Sequence, residues 1–143
     1  MANAEFKEVL KVDRDKLFDV IVKYEDYPDF VDGCTEVKIK SKAKGKACVA
    51  YKVSMIKDAR YTLDHVEDRE KGIVTWTLIE GDLIKKNNGR WELKSVGPGK
   101  TEIRYTVEIE FAIPVPGLIL NRMVKSSLPK MVQGFVERAN EEA

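Results

Sequence analysis

The hydrophobic pattern repeats with a helical period at the end of the chain and a period of two through most of its middle. From Pro116 to Ala143, Leu120, Val124, Leu128, Met131, Phe135 and Ala139 fall within an arc of about 100° on a helical projection, the width of a buried stripe. Arg122, Lys125, Lys130, Glu137 and Glu141 take the opposite side. The spacing therefore predicts one long helix lying on a partner surface rather than buried all round. Pro129 within it removes a backbone hydrogen bond, which predicts a kink near Lys125 to Ser127.

Upstream, Ala4 to Val12 sets Phe6, Val9, Leu10 and Val12 among charged residues, a first strand of imperfect alternation. Asp13 is placed as an N-cap for a helix over about Arg14 to Tyr24, with Leu17, Phe18, Val20, Ile21 and Tyr24 at helical spacing. Val20 to Val22 is a β-branched run of low helix propensity, so packing must hold that helix. In Tyr27-Pro28-Asp29-Phe30-Val31, Pro28 suits the first turn of a second short helix, which Gly33 ends. Alternation then takes over. Thr35 to Ser41 and Ala47 to Ile56 form a hairpin around Lys44-Gly45-Lys46, and Tyr51, Val53 and Met55 share a face of its second strand. Arg60 to Val66 follows with Tyr61, Leu63 and His65 on one side, then Ile73 to Ile79 with Val74, Trp76 and Leu78. Asn87-Asn88-Gly89 reads as a turn before a strand over Arg90 to Val96. In Thr101 to Phe111 the apolar Ile103, Tyr105, Val107, Ile109 and Phe111 alternate with polar residues, one face to the core and one to water. Strand, two short helices, about six further strands and a long helix describe an α+β domain over residues 1–143. Its antiparallel sheet of about seven strands curves around the last helix.

Composition narrows the function. The 143 residues, 43% hydrophobic and 34% charged, are enough for one core of their own. No apolar run approaches the ~18 residues of a membrane-spanning helix. Met1 to Lys7 lacks the basic, apolar and small-residue succession of a secretory leader, so a cytoplasmic location is the default expectation. Cys34 and Cys48 have no metal-binding or redox spacing and read as reduced thiols. A formal charge of +1 argues against a dedicated nucleic-acid binder. Lys38, Lys40, Lys42, Lys44 and Lys46 recur at period two and are expected to share a solvated outer face that protects a sheet edge; attraction to anionic lipid or RNA is the sharper alternative. His65 is the one histidine, and Asp64 beside it on a strand points to the other face and cannot orient it as a base. No GxSxG, HExxH or phosphate-binding glycine loop occurs, so neither a metal nor a cofactor is implied.

Three stretches carry a resemblance to a known superfamily. Tyr27-Pro28-Asp29-Phe30-Val31 with Cys34 is similar to a segment of the coenzyme Q-binding and ribosome-association-toxin branch of the START-like, helix-grip proteins. Gly89-Arg90-Trp91-Glu92-Leu93 resembles its tryptophan strand, and Phe135-Val136-Glu137-Arg138-Ala139 its closing helix. The chain departs from that branch at Asp32-Gly33 and at Gly81-Asp82-Leu83. The resemblance implies an apolar cavity between sheet and long helix that binds a hydrophobic small molecule: a lipid, an isoprenoid quinone or a polyketide-like compound. Its expected lining is Tyr51, Val53, Met55, Tyr61, Leu63, Trp76, Trp91, Tyr105, Val107 and Ile109 from strands, with Leu120, Val124, Leu128 and Met131 from the helix. Core packing is the alternative role for each of them. Arg60, His65 and Arg90 are the candidate polar contacts, and Val115, Leu118 and Ile119 a candidate gate that touches membrane during ligand exchange. Non-catalytic sequestration or transport is the leading reading. A polyketide cyclase or aromatase, or a ribosome- or membrane-associated interaction protein, are the alternatives.

Overall fold

A computed structural model describes residues 2–54, 58–118 and 128–141. Seven strands, β1 (Ala2–Leu10), β2 (Cys34–Ala43), β3 (Lys46–Ser54), β4 (Asp58–Asp68), β5 (Ile73–Gly81), β6 (Ile84–Gly97) and β7 (Lys100–Phe111), form one antiparallel sheet in the order β1-β7-β6-β5-β4-β3-β2. It is a meander whose first strand returns to the far edge beside the last. Register shifts in β2, in β6 and between β4 and β5 mark bulges, which bend strands and increase their twist, and the sheet curves.

Helix α1 (Arg14–Ile21) opens as its sequence predicts, with the amide of Lys16 donating to the Asp13 carboxylate at 3.1 Å. It stops three residues short of the expected end. The β-branched run reaches Val22, which caps the helix, and a 3-10 helix follows over Tyr24–Asp29 with Pro28 inside it. Leu17, Phe18, Val20, Ile21 and Tyr24 are all buried, so packing rather than propensity holds this segment.

Helix α2 (Leu128–Glu141) buries Leu128, Val132, Phe135, Val136 and Ala139. Its buried stripe therefore takes in Val132 and Val136 and leaves Met131 half-buried. The expected kink near Lys125 to Ser127, and the positions of Leu120 and Val124, lie outside the described residues.

Two expectations are corrected. Asn87-Asn88-Gly89 is no turn: it lies inside β6, and the chain reverses instead at Asp82-Leu83. The glycine serves close approach. Gly89 sits opposite Trp76, and a Cβ there would lie 2.3 Å from the indole and 2.4 Å from the Thr106 carbonyl oxygen. Asn87 is equally committed, its side-chain oxygen accepting from the Trp76 indole N–H at 2.9 Å. The second correction concerns the lysines. A register shift between Ile39 and Ser41 sets Lys42 opposite Ala47, on the inner side, whereas Lys38 opposite Ala50 stays outside. The period-two lysines thus do not form a single face.

Replacing Gly89 by alanine should cost about 1–3 kcal/mol, the range for forcing an extra methyl into packed structure. Gly97→Ala, whose added carbon meets nothing within 4 Å, should stay within about 0.5 kcal/mol of the parent. Chemical denaturation of the two variants beside the parent checks both values.

Candidate functional site

The register brings inward-facing side chains of β3 to β7 into rows. Tyr51 lies opposite Tyr61, His65 opposite Trp76, Val74 opposite Trp91, and Trp91 opposite Tyr105. Their rings are linked in sequence: Tyr51 to His65 at 6.0 Å, His65 to Trp76 at 6.5 Å, Trp76 to Tyr105 at 5.3 Å and Tyr105 to Trp91 at 4.8 Å. Trp91 touches Phe135 of α2 at 5.1 Å, Phe135 touches Tyr27 at 5.2 Å, and Tyr27 returns to Tyr51 at 6.2 Å. The aromatic contacts form a closed circuit over the concave face. Each separation lies in the attractive range for ring pairs, and such contacts contribute about 0.5–1.5 kcal/mol apiece beyond area burial.

Burial is uneven along this face. Toward one end Leu93, Ile103 and Thr101 are fully enclosed, and the Thr101 hydroxyl donates to the Val12 carbonyl at 2.8 Å. Toward the other end Val53, Tyr61, Leu78, Tyr105, Val107 and Ile109 remain half-buried. Packed core closes the first end, and apolar surface lines the second.

Of the residues expected to line a cavity, Tyr51, Tyr61, Leu63, Trp76, Trp91, Tyr105 and Val107 share the concave face, with Val53 and Ile109 at its half-buried end. Leu128 is packed in the core beneath α2 and Met131 lies half-buried against it. Met55, Leu120, Val124 and the gate residue Ile119 lie outside the described residues. Val115 is half-buried, and Leu118 is 74% exposed. The expectation for two arginines is corrected: Arg60 and Arg90 are exposed on the outer side, because each neighbours inward-facing residues on its strand. The Arg60 amide donates to Asp82, and the Arg90 guanidinium pairs with Glu92. Tyr24, Tyr27 and Phe30 were missing from the sequence-based lining. Their aromatic spacing beside Pro28 was visible, but their reach into the sheet depends on how the 3-10 helix docks.

His65 does lie inside, 5% exposed. Its Nε2 is 2.7 Å from the Tyr51 hydroxyl, Tyr24 stacks on its ring at 4.2 Å, and its buried Nδ1 has no hydrogen-bond partner. Asp64 is exposed on the opposite face. Burial lowers the imidazole pKa to about 3. It also raises the phenols of Tyr24, Tyr27, Tyr51, Tyr61 and Tyr105 and pushes the Cys34 thiol up to about 11. At neutral pH these groups are all uncharged. Among the described residues no lysine, arginine, aspartate or glutamate is buried, and no cluster of His, Cys, Asp and Glu could hold a metal ion. The site can therefore enclose apolar matter and offer neutral hydrogen bonds.

Sheet, helices and concave aromatic face together define a helix-grip fold of the START-like class. A family model described as polyketide cyclase / dehydrase and lipid transport matches residues 10–136, and the chain belongs to that family. A START superfamily protein from Mycobacterium smegmatis superposes with a TM-score of 0.86 at 14% identity, over all of both chains. The Zhui aromatase/cyclase of Streptomyces sp. R1128 gives 0.85 at 13% identity, over 98% of this chain and 94% of that one. The ribosome association toxin RatA of Escherichia coli (strain K12) is 24% identical over 127 residues, which are 89% of this chain and 80% of the relative. No helix among the described residues is long and apolar enough to cross a membrane.

The buried histidine has a consequence for stability. Unfolding returns His65 to its ordinary pKa of about 6.5, so below that pH the unfolded chain takes up a proton that the folded chain refuses. Stability is therefore lost as pH falls from about 6.5 toward 3, with a slope approaching about 1.4 kcal/mol per pH unit from this group alone. In His65→Gln the decline between pH ~6.5 and ~5, above the main titration of surface carboxylates, should be distinctly shallower. Denaturant midpoints across that window check the slope.

Proposed function

We propose that this protein binds a hydrophobic small molecule, of lipid, isoprenoid or polyketide-like size, between the half-buried end of its sheet and the long C-terminal helix, and that it sequesters or carries that molecule. The observation that carries the reading is the asymmetry of the concave face. A circuit of seven rings gives it rigid walls, while Val53, Tyr61, Leu78, Tyr105, Val107 and Ile109 at one end retain apolar surface for a guest. Burial of such surface contributes roughly 25 cal/mol per Å². Leu118, the most exposed large apolar side chain among the described residues, stands in the connection after β7 and supports a gate that touches a membrane while ligand exchanges. A cytoplasmic site of action agrees with this role.

One observation favours a second reading, a cyclase. The buried Tyr51–His65 pair is a proton-transfer couple on the concave face, where a folded polyketide chain would lie. Its imidazole lacks a carboxylate to stabilise the protonated form, which favours binding over catalysis. The ribosome-associated role named for RatA would instead use the outer lysines of β2.

Native mass spectrometry of gently purified protein, followed by organic extraction, tests the proposal. We expect a stoichiometric apolar adduct, with Ile109→Trp reducing occupancy at least about tenfold by filling the open end. An unliganded mass together with no uptake of the neutral dye Nile red would remove the carrier reading.

A further inference from the structure

We propose that Tyr51 and His65 form a hydrogen-bond donor site for an uncharged oxygen acceptor, such as the carbonyl of a ketone or ester, on the apolar ligand. The inference rests on the binding role above and specifies the chemistry of the molecule bound. It follows from counting protons. A neutral imidazole carries one N–H and a phenol one O–H, so the pair holds two donors. Tyr51 and His65 share a single hydrogen bond of 2.7 Å, and Nδ1 of His65 is buried without a partner. One proton is therefore left over.

Two arrangements exist. If Tyr51 donates to Nε2, the spare proton sits on Nδ1, sealed within the protein, and an unpaired buried donor costs about 1–3 kcal/mol. If Nε2–H donates to the Tyr51 oxygen, Nδ1 keeps only an idle lone pair, which is tolerated better than an orphaned N–H. The second arrangement moves the spare proton to the hydroxyl of Tyr51, a residue itself only 6% exposed, where it also lacks a partner. That hydroxyl can rotate toward a ligand oxygen, whereas Nδ1 is sealed within the protein. Neighbouring groups do not use the Tyr51 proton: the Tyr24 hydroxyl donates to Glu67 at 2.6 Å, the Tyr27 hydroxyl to the Ile21 carbonyl, and the Trp76 indole to Asn87. Tyr51 lies in the inward row beside Tyr61, whose ring stacks on it at 5.4 Å. A ligand oxygen arriving among these rings meets a rotatable O–H held in place through its own oxygen.

The surroundings decide against an anion. No cationic side chain among the described residues is buried, and Arg60 and Arg90 stand on the far side of the sheet. A carboxylate would be desolvated here without a counter-ion, a penalty of several kcal/mol, whereas a carbonyl needs only one donor. The site thus separates neutral oxygenated molecules from fatty acids of the same length.

Two measurements on the intact protein test this. The imidazole nitrogen chemical shifts of His65 report which nitrogen carries the proton, and Nε2–H is expected. Displacement of Nile red at neutral pH by methyl heptyl ketone, n-nonane and nonanoate compares one chain length with three ends. The ketone should bind about five- to tenfold more tightly than nonane, the value of one hydrogen bond, and at least about a hundredfold more tightly than nonanoate, which bears the desolvation penalty as well. Tyr51→Phe should reduce the ketone to the level of nonane and leave nonane unchanged. An Nδ1–H tautomer, or a ketone preference that survives Tyr51→Phe and disappears in Tyr61→Phe, would overturn the assignment. Binding of all three probes without preference overturns it while sparing the carrier role, and binding of none overturns both.

Discussion

Phe135 is the contact on which the concave face depends. It is 2% exposed, and the edges or faces of Trp91, Tyr27 and Phe30 meet it at 5.1, 5.2 and 5.0 Å. One ring from α2 thus joins the middle of the sheet to the 3-10 helix, elements far apart in sequence. Helix–sheet packing over an apolar face needs an anchor that fixes both distance and angle, and edge-to-face aromatic contacts supply direction as well as area. Arg138, one turn later, reinforces the same junction from outside. Its guanidinium lies 5.4 Å from the centre of the Phe30 ring and 3.7 Å from the carboxylates of Asp26 and Asp29.

Ion pairs gather on the outer side of the sheet, whereas on the inner side Glu67, opposite Val74, is half-buried and accepts from the Tyr24 hydroxyl. On the outer side Arg104 reaches Glu5 and Glu92, Lys7 pairs with Glu102, and Lys86 with Glu108, so opposite charges ladder across β1, β7 and β6. Exposed pairs of this kind contribute about 0–1 kcal/mol each, too little to set the stability of the domain. Their effect is on register, because a slip of one residue would turn every charge inward. Among the described residues the fully buried titratable groups, by contrast, are ones that burial keeps neutral.

Much of this was legible in the sequence because period is a local property. Alternation in Thr101 to Phe111 and helical spacing around Phe135 each follow from a dozen residues, and Asp13 announced α1 by its capping chemistry alone. The failures share a cause, which is that the deciding partner lay elsewhere in the chain. Asn87-Asn88-Gly89 has the composition of a turn, but Trp76 on the neighbouring strand takes both the asparagine oxygen and the space over the glycine. The lysine row was broken by a bulge that only pairing with β3 reveals. Arg60 and Arg90 were assigned inward for their chemistry, although each neighbours inward-facing residues on its strand. His65 was expected without a carboxylate to orient it, and the partner it found, Tyr51, comes from the adjacent strand at a register no single segment encodes.

The return of β1 to the far edge of the sheet also governs the order in which the molecule can assemble. Ala2 pairs with Ile109 and Leu10 with Thr101, while the strands between are joined to their neighbours by short reversals. The meander from β2 to β7 can zip from local contacts, but the first strand closes a loop that contains every other strand of the sheet, and such closure is both entropically costly and slow. During synthesis β1 emerges before β2 to β7 and must wait longest for its partner. Its polar punctuation, with Asn3, Glu5, Lys7 and Glu8 between the apolar residues, keeps an early, unpaired segment from seeking other edges in the meantime.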